Sequence, residues 1–144
     1  MSQVDASIGG KVAVNLENQK NQIGLFNNPD LILIYPPYIN TQSSNDFLSG
    51  KSEIFKYGLI LNQEFWNDVK LEGTYKKSNL ENLILKCVQM KISLVQLDYY
   101  DIKERRKLNF GHSISHAIES CFLNKSIFIS HGFALSVGII CESY

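Results

Sequence analysis

The residue types and spacings best suited to chemistry lie between Leu108 and Glu119. If this segment is helical, His112, His116 and Glu119 occupy positions i, i+4 and i+7, which form one stripe along the helix. His131 follows, so that all three histidines of the chain lie within 20 residues. A polar stripe with two imidazoles suits a metal centre or acid–base catalysis, and this segment is therefore the first candidate for a functional site.

Three residues qualify by type as ligands of a metal ion: Glu53, His112 and His131. Two imidazoles and one carboxylate suit a zinc-like divalent ion that keeps a coordination position open for water or substrate. The chain has no H-E-x-x-H motif, so a zinc protease of that type is not indicated. Each of these residues, taken singly, is equally well explained as an ordinary core or surface residue.

Composition limits the classes of protein and partner. With 144 residues, 44% of them hydrophobic and 19% charged, the chain has the makeup of a packed globular protein. Lys and Arg together number 14, as do Asp and Glu, so no net charge attracts nucleic acid or an anionic membrane. We find no apolar run of membrane-spanning length and no secretory signal. The three cysteines are widely spaced and predict reduced thiols in a cytoplasmic protein.

The elements that must position the candidate site differ before and after Pro37. Residues 1–28 are rich in Gly, Asn, Gln and Lys, and we expect them to form a long loop. Asp30 to Tyr35 is a short apolar run stopped by two prolines, which predicts a buried strand. Because one strand cannot form a sheet, and because long loops are rare in small domains, we expect the chain to be a piece of a larger α/β plus helical protein.

After Pro37 the sequence pattern is helical. The clearest helix begins at Ser78, with Glu81 three residues later as a capping box. Lys91 falls on the apolar stripe of that helix by its spacing from Leu80. Its amine therefore either extends to the solvent at the edge of the core or lines a site. The members of that apolar stripe are Leu80, Leu83, Ile84, Cys87, Val88, Ile92 and Val95. In the histidine helix we expect a second stripe facing the core, formed by Ile114, Ala117, Ile118 and Cys121. A last helix is predicted from Gly132 to Cys141.

Several blocks along nearly the whole chain resemble the 3-dehydroquinate synthase family and occur in that family's order. They are residues 4–15 (VDASIGGKVAVN), 20–26 (KNQIGLF), 49–58 (SGKSEIFKYG), Arg105 with 108–119 (LNFGHSISHAIE), and the pair His131-Gly132. The resemblance implies an NAD- and metal-dependent lyase of the shikimate pathway. Such an enzyme converts 3-deoxy-arabino-heptulosonate 7-phosphate into 3-dehydroquinate and phosphate during aromatic amino acid biosynthesis.

The resemblance also implies roles for individual residues. Glu53, His112 and His131 correspond to the ligands of zinc or cobalt. The residues that correspond to positions around the substrate, a phosphorylated sugar acid, are Lys11, Asn21, Lys56, Lys91, Arg105, Asn109 and His116. Those that correspond to contacts with NAD are Asp5, Lys11, Lys20, Tyr38, Ile39, Asn40 and Thr41. Phe133 departs from the family pattern, which usually has an acidic residue there.

For the fold, the resemblance implies two parts. Residues 1–41 correspond to the C-terminal part of an NAD-binding α/β domain, and residues 42–144 to the first part of a helical metal- and substrate-binding domain. The family's glycine-rich NAD cradle precedes the matching residues, so we expect these 144 residues alone not to turn over substrate. The full-length protein is expected to be a cytoplasmic homodimer.

Two other functions remain open at this point. The first is a related sugar-phosphate cyclase or a metal-dependent polyol dehydrogenase, which share the architecture. The second is a non-catalytic remnant of such an enzyme. The cationic and polar set around Lys91 and Arg105 favours a carboxylated, phosphorylated substrate over a neutral polyol. Retention of the matched polar residues argues against a drifting remnant, because buried charges without function are costly.

Overall fold

A computed structural model describes residues 2–16, 19–71 and 77–144, together with their side chains except at positions 19, 20, 77 and 78. It begins with a hairpin of two antiparallel strands, β1 (Lys11–Leu16) and β2 (Gln19–Phe26). Val12 lies opposite Leu25 and Val14 opposite Ile23. The expectation of a long loop over residues 1–28 is therefore wrong. The valines alternate with polar or small residues, a period of two that composition alone conceals.

The apolar run before the prolines is not a strand. Residues 31–35 are extended but pair with no strand among the described residues, and the sheet consists of β1 and β2 alone. Leu31 is 79% exposed and Leu33 is 86% exposed. The prediction of a buried strand is wrong for the described chain, because a strand needs a hydrogen-bonding neighbour and a cover for its apolar faces.

The predicted helical character after Pro37 is confirmed. The described residues after this point form five α-helices: α1 (Ser44–Leu61), α2 (Gln63–Val69), α3 (Lys77–Leu97), α4 (His112–Asn124) and α5 (His131–Glu142). Short 3₁₀ helices cover Pro36–Thr41 and Glu104–Asn109. The side chains of Ser43, Asn62 and Ser130 cap the N-termini of α1, α2 and α5 by accepting a backbone N–H from the first turn. The last helix extends one residue beyond the predicted range at each end.

The apolar core lies between α1, α2 and α3. Tyr57, Val69 and Cys87 are fully buried there. The predicted stripe of α3 is confirmed from Leu80 to Cys87, whereas Ile92 near the end of the helix is 40% exposed. Lys91 is buried, as its place on the stripe predicts. The predicted capping box depends on the side chain of Ser78, which lies outside the described residues.

Helices α4 and α5 pack against each other, and α5 also packs on α1. The prediction of an apolar stripe on α4 that faces the protein core is wrong. Ala117 and Cys121 are exposed, and the buried residues of this helix are Ser115 and Glu119. The buried side of α4 therefore carries polar side chains rather than an apolar stripe.

Two further expectations concern the whole chain. Cys87, Cys121 and Cys141 are free thiols, as predicted. None of the described helices combines the length and the apolar character that crossing a bilayer requires.

Candidate active site and metal centre

Three helices bring Glu53, His112 and His131 together. Glu53 lies in the middle of α1, and the two histidines are the first residues of α4 and α5. Glu53 Oε1 is 3.3 Å from His131 Nε2 and 3.7 Å from His112 Nε2. One ligand atom from each residue lies within 4.8 Å of the others. This spacing and this donor set fit one divalent cation that is bound by three protein ligands and keeps an open position.

The contacts of Nδ1 in the two imidazoles also support a metal site. His112 Nδ1 is 3.3 Å from the carbonyl oxygen of Phe110, and His131 Nδ1 is 3.1 Å from Glu119 Oε1. A carbonyl oxygen can only accept, so Nδ1 of His112 carries a proton and its Nε2 is the ring nitrogen available to a metal. Outer partners of this kind orient histidine ligands in metal proteins. The residues present therefore fit a bound divalent metal.

Close backbone contacts fix the two helix starts that carry the histidines. The N–H of Gly132 donates to Ser49 Oγ at 2.8 Å, which ties α5 to α1 beside Glu53. The N–H of Gly111 donates to Glu142 Oε2 at 2.6 Å, which ties the start of α4 to the end of α5. Gly111 has a φ of 80°, a conformation that L side chains rarely adopt. The positions of the ligands thus follow from helix packing rather than from a loop.

A buried ion network extends from Glu53 into the interior. Asp5 accepts a hydrogen bond from Tyr57 Oη at 2.8 Å and pairs with the amine of Lys91. Lys56 lies between two carboxylates, with Nζ 2.5 Å from Glu53 Oε2 and 3.8 Å from Asp5 Oδ2. Both lysines are buried in this network, which explains why Lys91 occupies an otherwise apolar stripe.

These charges determine the protonation of the carboxylates. Burial raises the pKa of Asp5, but the positive charges of Lys56 and Lys91 and the hydrogen bonds from Lys91 and Tyr57 outweigh it and lower the pKa well below its usual value. The pKa of Glu53 is also lowered against the effect of burial, by the hydrogen bond with His131 and the charge of Lys56. Burial lowers the pKa of Lys91 despite the neighbouring Asp5. Both carboxylates are therefore ionised at neutral pH.

The two metal-ligand histidines differ in charge preference. Burial, together with the charge of Lys56, lowers the pKa of His112 to about 4, so this imidazole is neutral at pH 7. The hydrogen bond to Glu53 is the largest cause that raises the pKa of His131, and the charges of Glu53 and Glu119 act in the same direction. Metal ions bind the neutral form of an imidazole, which His112 favours, whereas the hydrogen bond to Glu53 favours the protonated form of His131 in the absence of a cation.

Arg105 is held by backbone oxygens at the other end of the site. This buried side chain donates from Nη1 to the carbonyl of Tyr99 at 2.6 Å and from Nη2 to the carbonyl of Gly9 at 2.9 Å. Its Nε is buried and has no hydrogen-bond partner among the described residues. The loop that carries it is organised by Asp98, whose carboxylate accepts the backbone N–H groups of Ile102, Lys103 and Arg105. These bonds lower the pKa of Asp98 against the effect of burial.

One cavity of about 720 Å³ joins these groups. One wall is the hairpin, which contributes Lys11, Ala13 and Asn21 among others, and another is the start of α4. The predicted site residues that line it are Asp5, Lys11, Asn21, Glu53, Lys56, Lys91, Arg105, Asn109, His112, His116 and His131. The structure therefore brings together every residue predicted for the metal and the substrate.

The residues predicted to contact NAD are not brought together in the same way. Asp5 and Lys11 line the cavity, and Lys11 also pairs with Asp101. Tyr38 to Thr41 lie in the first 3₁₀ helix, none of them lines this cavity, and Ile39 borders a separate cavity of about 340 Å³. The side chain of Lys20 lies outside the described residues.

The structure adds residues for which the sequence assigned no role. Asp98 and Asp101 support the loop beside Arg105, and Glu119 contacts a predicted metal ligand. Asp side chains often accept backbone N–H groups of nearby turns, and this general preference is the sequence signal for Asp98. Glu119 was recognised on the histidine stripe, but its partner His131 lies on another helix.

With this geometry established, the chain can be compared with known proteins. The family model described as "3-dehydroquinate synthase C-terminal" matches residues 50–144, and the one described as "3-dehydroquinate synthase N-terminal" matches residues 1–49. The chain is 42% identical over 143 residues to the 3-dehydroquinate synthase of Clostridium perfringens (strain 13 / Type A), covering 96% of this chain and 40% of that relative. It is 40% identical to the Picrophilus torridus 3-dehydroquinate synthase, covering 100% of this chain and 41% of that relative.

Two solved structures of related synthases are also similar to this chain. ValA, a 2-epi-5-epi-valiolone synthase from Streptomyces hygroscopicus subsp. jinggangensis 5008 with NAD⁺ and Zn²⁺ bound, has a TM-score of 0.85 and 26% identity, covering 96% of this chain and 39% of that one. A 2-deoxy-scyllo-inosose synthase has a TM-score of 0.78 and 29% identity, covering 96% and 40% of the respective chains. The fold is thus that of the sugar-phosphate cyclases.

Within that class, the chain belongs to the 3-dehydroquinate synthase family, as both family models and the curated relatives show. The family resemblance predicted from the sequence is confirmed. The chain spans about 40% of the length of the curated relatives that it matches.

Proposed function

We propose that the protein containing this sequence is a 3-dehydroquinate synthase, which converts 3-deoxy-arabino-heptulosonate 7-phosphate into 3-dehydroquinate and phosphate. The observation that carries the proposal is the convergence of Glu53, His112 and His131 on the wall of a cavity that is also lined by Lys56, Lys91 and Arg105. A metal centre next to several cations suits a substrate that has hydroxyl groups, a carboxylate and a phosphate.

Glu53, His112 and His131 would hold the metal ion, zinc or cobalt. When bound, such an ion supplies Lewis-acid stabilisation of a substrate oxygen that develops negative charge. The protein contributes the rest: the Phe110 carbonyl and Glu119 hold the outer nitrogens of the two imidazoles, and Lys56 neutralises the second oxygen of Glu53. These contacts keep three ligand atoms aimed at one point and leave one side of the site open to the cavity.

The cations around the cavity would bind and orient the anionic ends of the substrate. Lys91 and Arg105 are buried and therefore lie in an environment where charge interactions are strong. Arg105 has a buried Nε donor still available, and its two terminal nitrogens are already fixed by backbone carbonyls. Asn21 and Asn109 supply neutral donors and acceptors for hydroxyl groups. His116, one turn after His112, is placed to transfer a proton at the substrate.

NAD, when bound, would supply reversible hydride transfer at a substrate hydroxyl group. ValA supports this proposal, since it is similar to 96% of this chain and has NAD⁺ and Zn²⁺ bound. We assign the cofactor contacts to Asp5, Lys11, Lys20 and Tyr38 to Thr41. Because Asp5 is bonded to Tyr57 and Lys91, its role toward NAD would pass through the lysine network.

We also propose that residues 1–41 belong to an NAD-binding α/β domain and residues 42–144 to a helical metal- and substrate-binding domain. The two matching family models, which meet between residues 49 and 50, support a division close to this point. The proposal extends to a cytoplasmic homodimer for the full-length enzyme.

A chimera tests this function directly. The segment of the Clostridium perfringens synthase that aligns with this chain is replaced by this chain. Phosphate release from 3-deoxy-arabino-heptulosonate 7-phosphate is then measured with NAD⁺ and Zn²⁺. We expect turnover that Arg105→Ala or Lys91→Met reduces by at least about a hundredfold. Lys107→Met, at an exposed residue, serves as the control and should retain activity. A chimera that binds Zn²⁺ and NAD⁺ without releasing phosphate would contradict the proposal.

A further inference from the structure

Glu119 is a buried carboxylate that the reaction described above does not use directly. Its side chain is 6% exposed, and it lies on α4 two turns after His112. Oε1 is 3.1 Å from Nδ1 of His131, which lies on α5. Burying a carboxylate is unfavourable unless it is paired. The position of Glu119 beside Nδ1 of a metal-ligand imidazole therefore needs an explanation.

We propose that Glu119 is a positioning residue for the metal centre: it fixes the ring of His131 so that Nε2 faces Glu53. The inference rests on the metal site of the proposed function. His131 is 20% exposed, so packing alone leaves its ring room to rotate about the Cβ–Cγ bond. The carboxylate selects the orientation in which Nδ1 points toward α4 and Nε2 lies 3.3 Å from Glu53 Oε1.

The position of Glu119 on the helix adds a second consequence. His112 and Glu119 belong to the same rigid helix, and one is a ligand while the other orients a ligand on α5. Helix α4 therefore contributes to the placement of both imidazoles, whose ring centroids are 5.4 Å apart. A carboxylate bonded to the outer nitrogen also makes the ligating nitrogen more basic. Both effects favour tight metal binding.

The test measures Zn²⁺ and Co²⁺ affinity of the 144-residue chain by competition with a chelator. The variants are Glu119→Gln, which keeps the shape and an acceptor oxygen, and Glu119→Ala, which removes both. Glu81→Gln, at an exposed position of α3, is the matched control. We expect roughly 10- to 100-fold weaker metal binding for Glu119→Ala, a smaller loss for Glu119→Gln, and no change for Glu81→Gln.

A second readout separates positioning from mere stability. The visible absorption bands of bound Co²⁺ report its coordination geometry, and we expect Glu119→Ala to shift them while Glu119→Gln largely preserves them. If Glu119→Ala does not fold, the metal affinity of Glu119→Gln tests the positioning role instead. Unchanged affinity and spectrum in a folded Glu119 variant would overturn this inference and leave the metal site intact. Absence of metal binding by the unsubstituted chain would overturn the metal site itself, and this inference with it.

Discussion

The metal-ligand helices and the N-terminal hairpin are organised in opposite ways. Glu53, His112 and His131 lie near two helix starts whose N–H groups donate to side chains of α1 and α5, and a buried ion network supports them. The hairpin lines part of the cavity, but apolar side chains on it, such as Val14 and Ile23, are more than half exposed. The described chain therefore packs the metal half of the site more completely than the hairpin half.

This difference bears on the two proposed cofactors. The metal ligands come from three elements that pack on one another, so they can be positioned without further contacts. Apart from Asp5, the residues assigned to NAD lie on the hairpin and on an exposed 3₁₀ helix, and the described residues among them do not meet at one point. We therefore expect substitutions to have large effects near α1, α4 and α5 and small effects at the exposed apolar residues of the hairpin.

The largest effect is expected for Gly132→Ala. An added Cβ would lie 2.2 Å from the backbone oxygen of Ser49 and 2.3 Å from its Cα, so α5 would have to move away from α1. We expect a loss of about 3 kcal/mol in the free energy of unfolding and a loss of metal binding, measured by denaturant titration and by chelator competition. Phe133→Ala, at a 60% exposed neighbour, is the control and should change neither. Normal metal affinity in Gly132→Ala would show that the two helices need not touch.

A loss of stability of the same size, without the displacement of α5, is expected for Asp5→Asn. This substitution leaves the buried amines of Lys56 and Lys91 without their shared carboxylate. We expect the free energy of unfolding to fall by about 3 kcal/mol, because a buried charge then lacks its partner. Asp30→Asn, at an exposed position, is the matched control. A stability equal to that of the control would mean that Asp5 serves a ligand only and does not hold the network.

One substitution made in both regions compares them directly. Ile54 lies on α1 in the apolar core and is 5% exposed, whereas Ile23 on the hairpin is 61% exposed. We expect Ile54→Ala to lower the free energy of unfolding by about 2–5 kcal/mol and Ile23→Ala by less than about 0.5 kcal/mol. Denaturant unfolding of both variants under one set of conditions provides the measurement. Equal losses would refute the contrast between the regions.

The smallest effect is expected from Asp98 and depends on pH. Because the folded chain lowers the pKa of this carboxyl below its usual 3.8, the unfolded chain takes up the proton first as pH falls. The stabilisation by Asp98 is therefore complete above about pH 5 and is lost progressively below about pH 4. We expect Asp98→Asn to unfold with a shallower dependence on acid than the unsubstituted chain, while Asp30→Asn does not change that dependence. Thermal unfolding between pH 3 and 6 measures both, and identical slopes would contradict the assignment.

The sequence predicted the site better than the elements before Pro37. Spacing in the 108–119 segment predicted the helix and its polar stripe, since a period of 3.6 requires no knowledge of partners. The family resemblance identified Glu53 and His131, which no local pattern connects. Polar composition conceals the alternation of the hairpin, and the strand predicted for residues 30–35 is wrong because an apolar run does not show whether a partner strand exists. Glu119 and Asp98 depend on contacts between elements, which a sequence pattern does not contain.

The most direct test of the central claim is a crystal structure of the Zn²⁺-loaded chain with anomalous diffraction data at the zinc edge. The account predicts one strong peak about 2.0–2.2 Å from an oxygen of Glu53 and from Nε2 of both His112 and His131. His131 Nδ1 should remain on Glu119. A zinc ion bound by other residues, or none at this cluster in crystals that contain excess Zn²⁺, would contradict it.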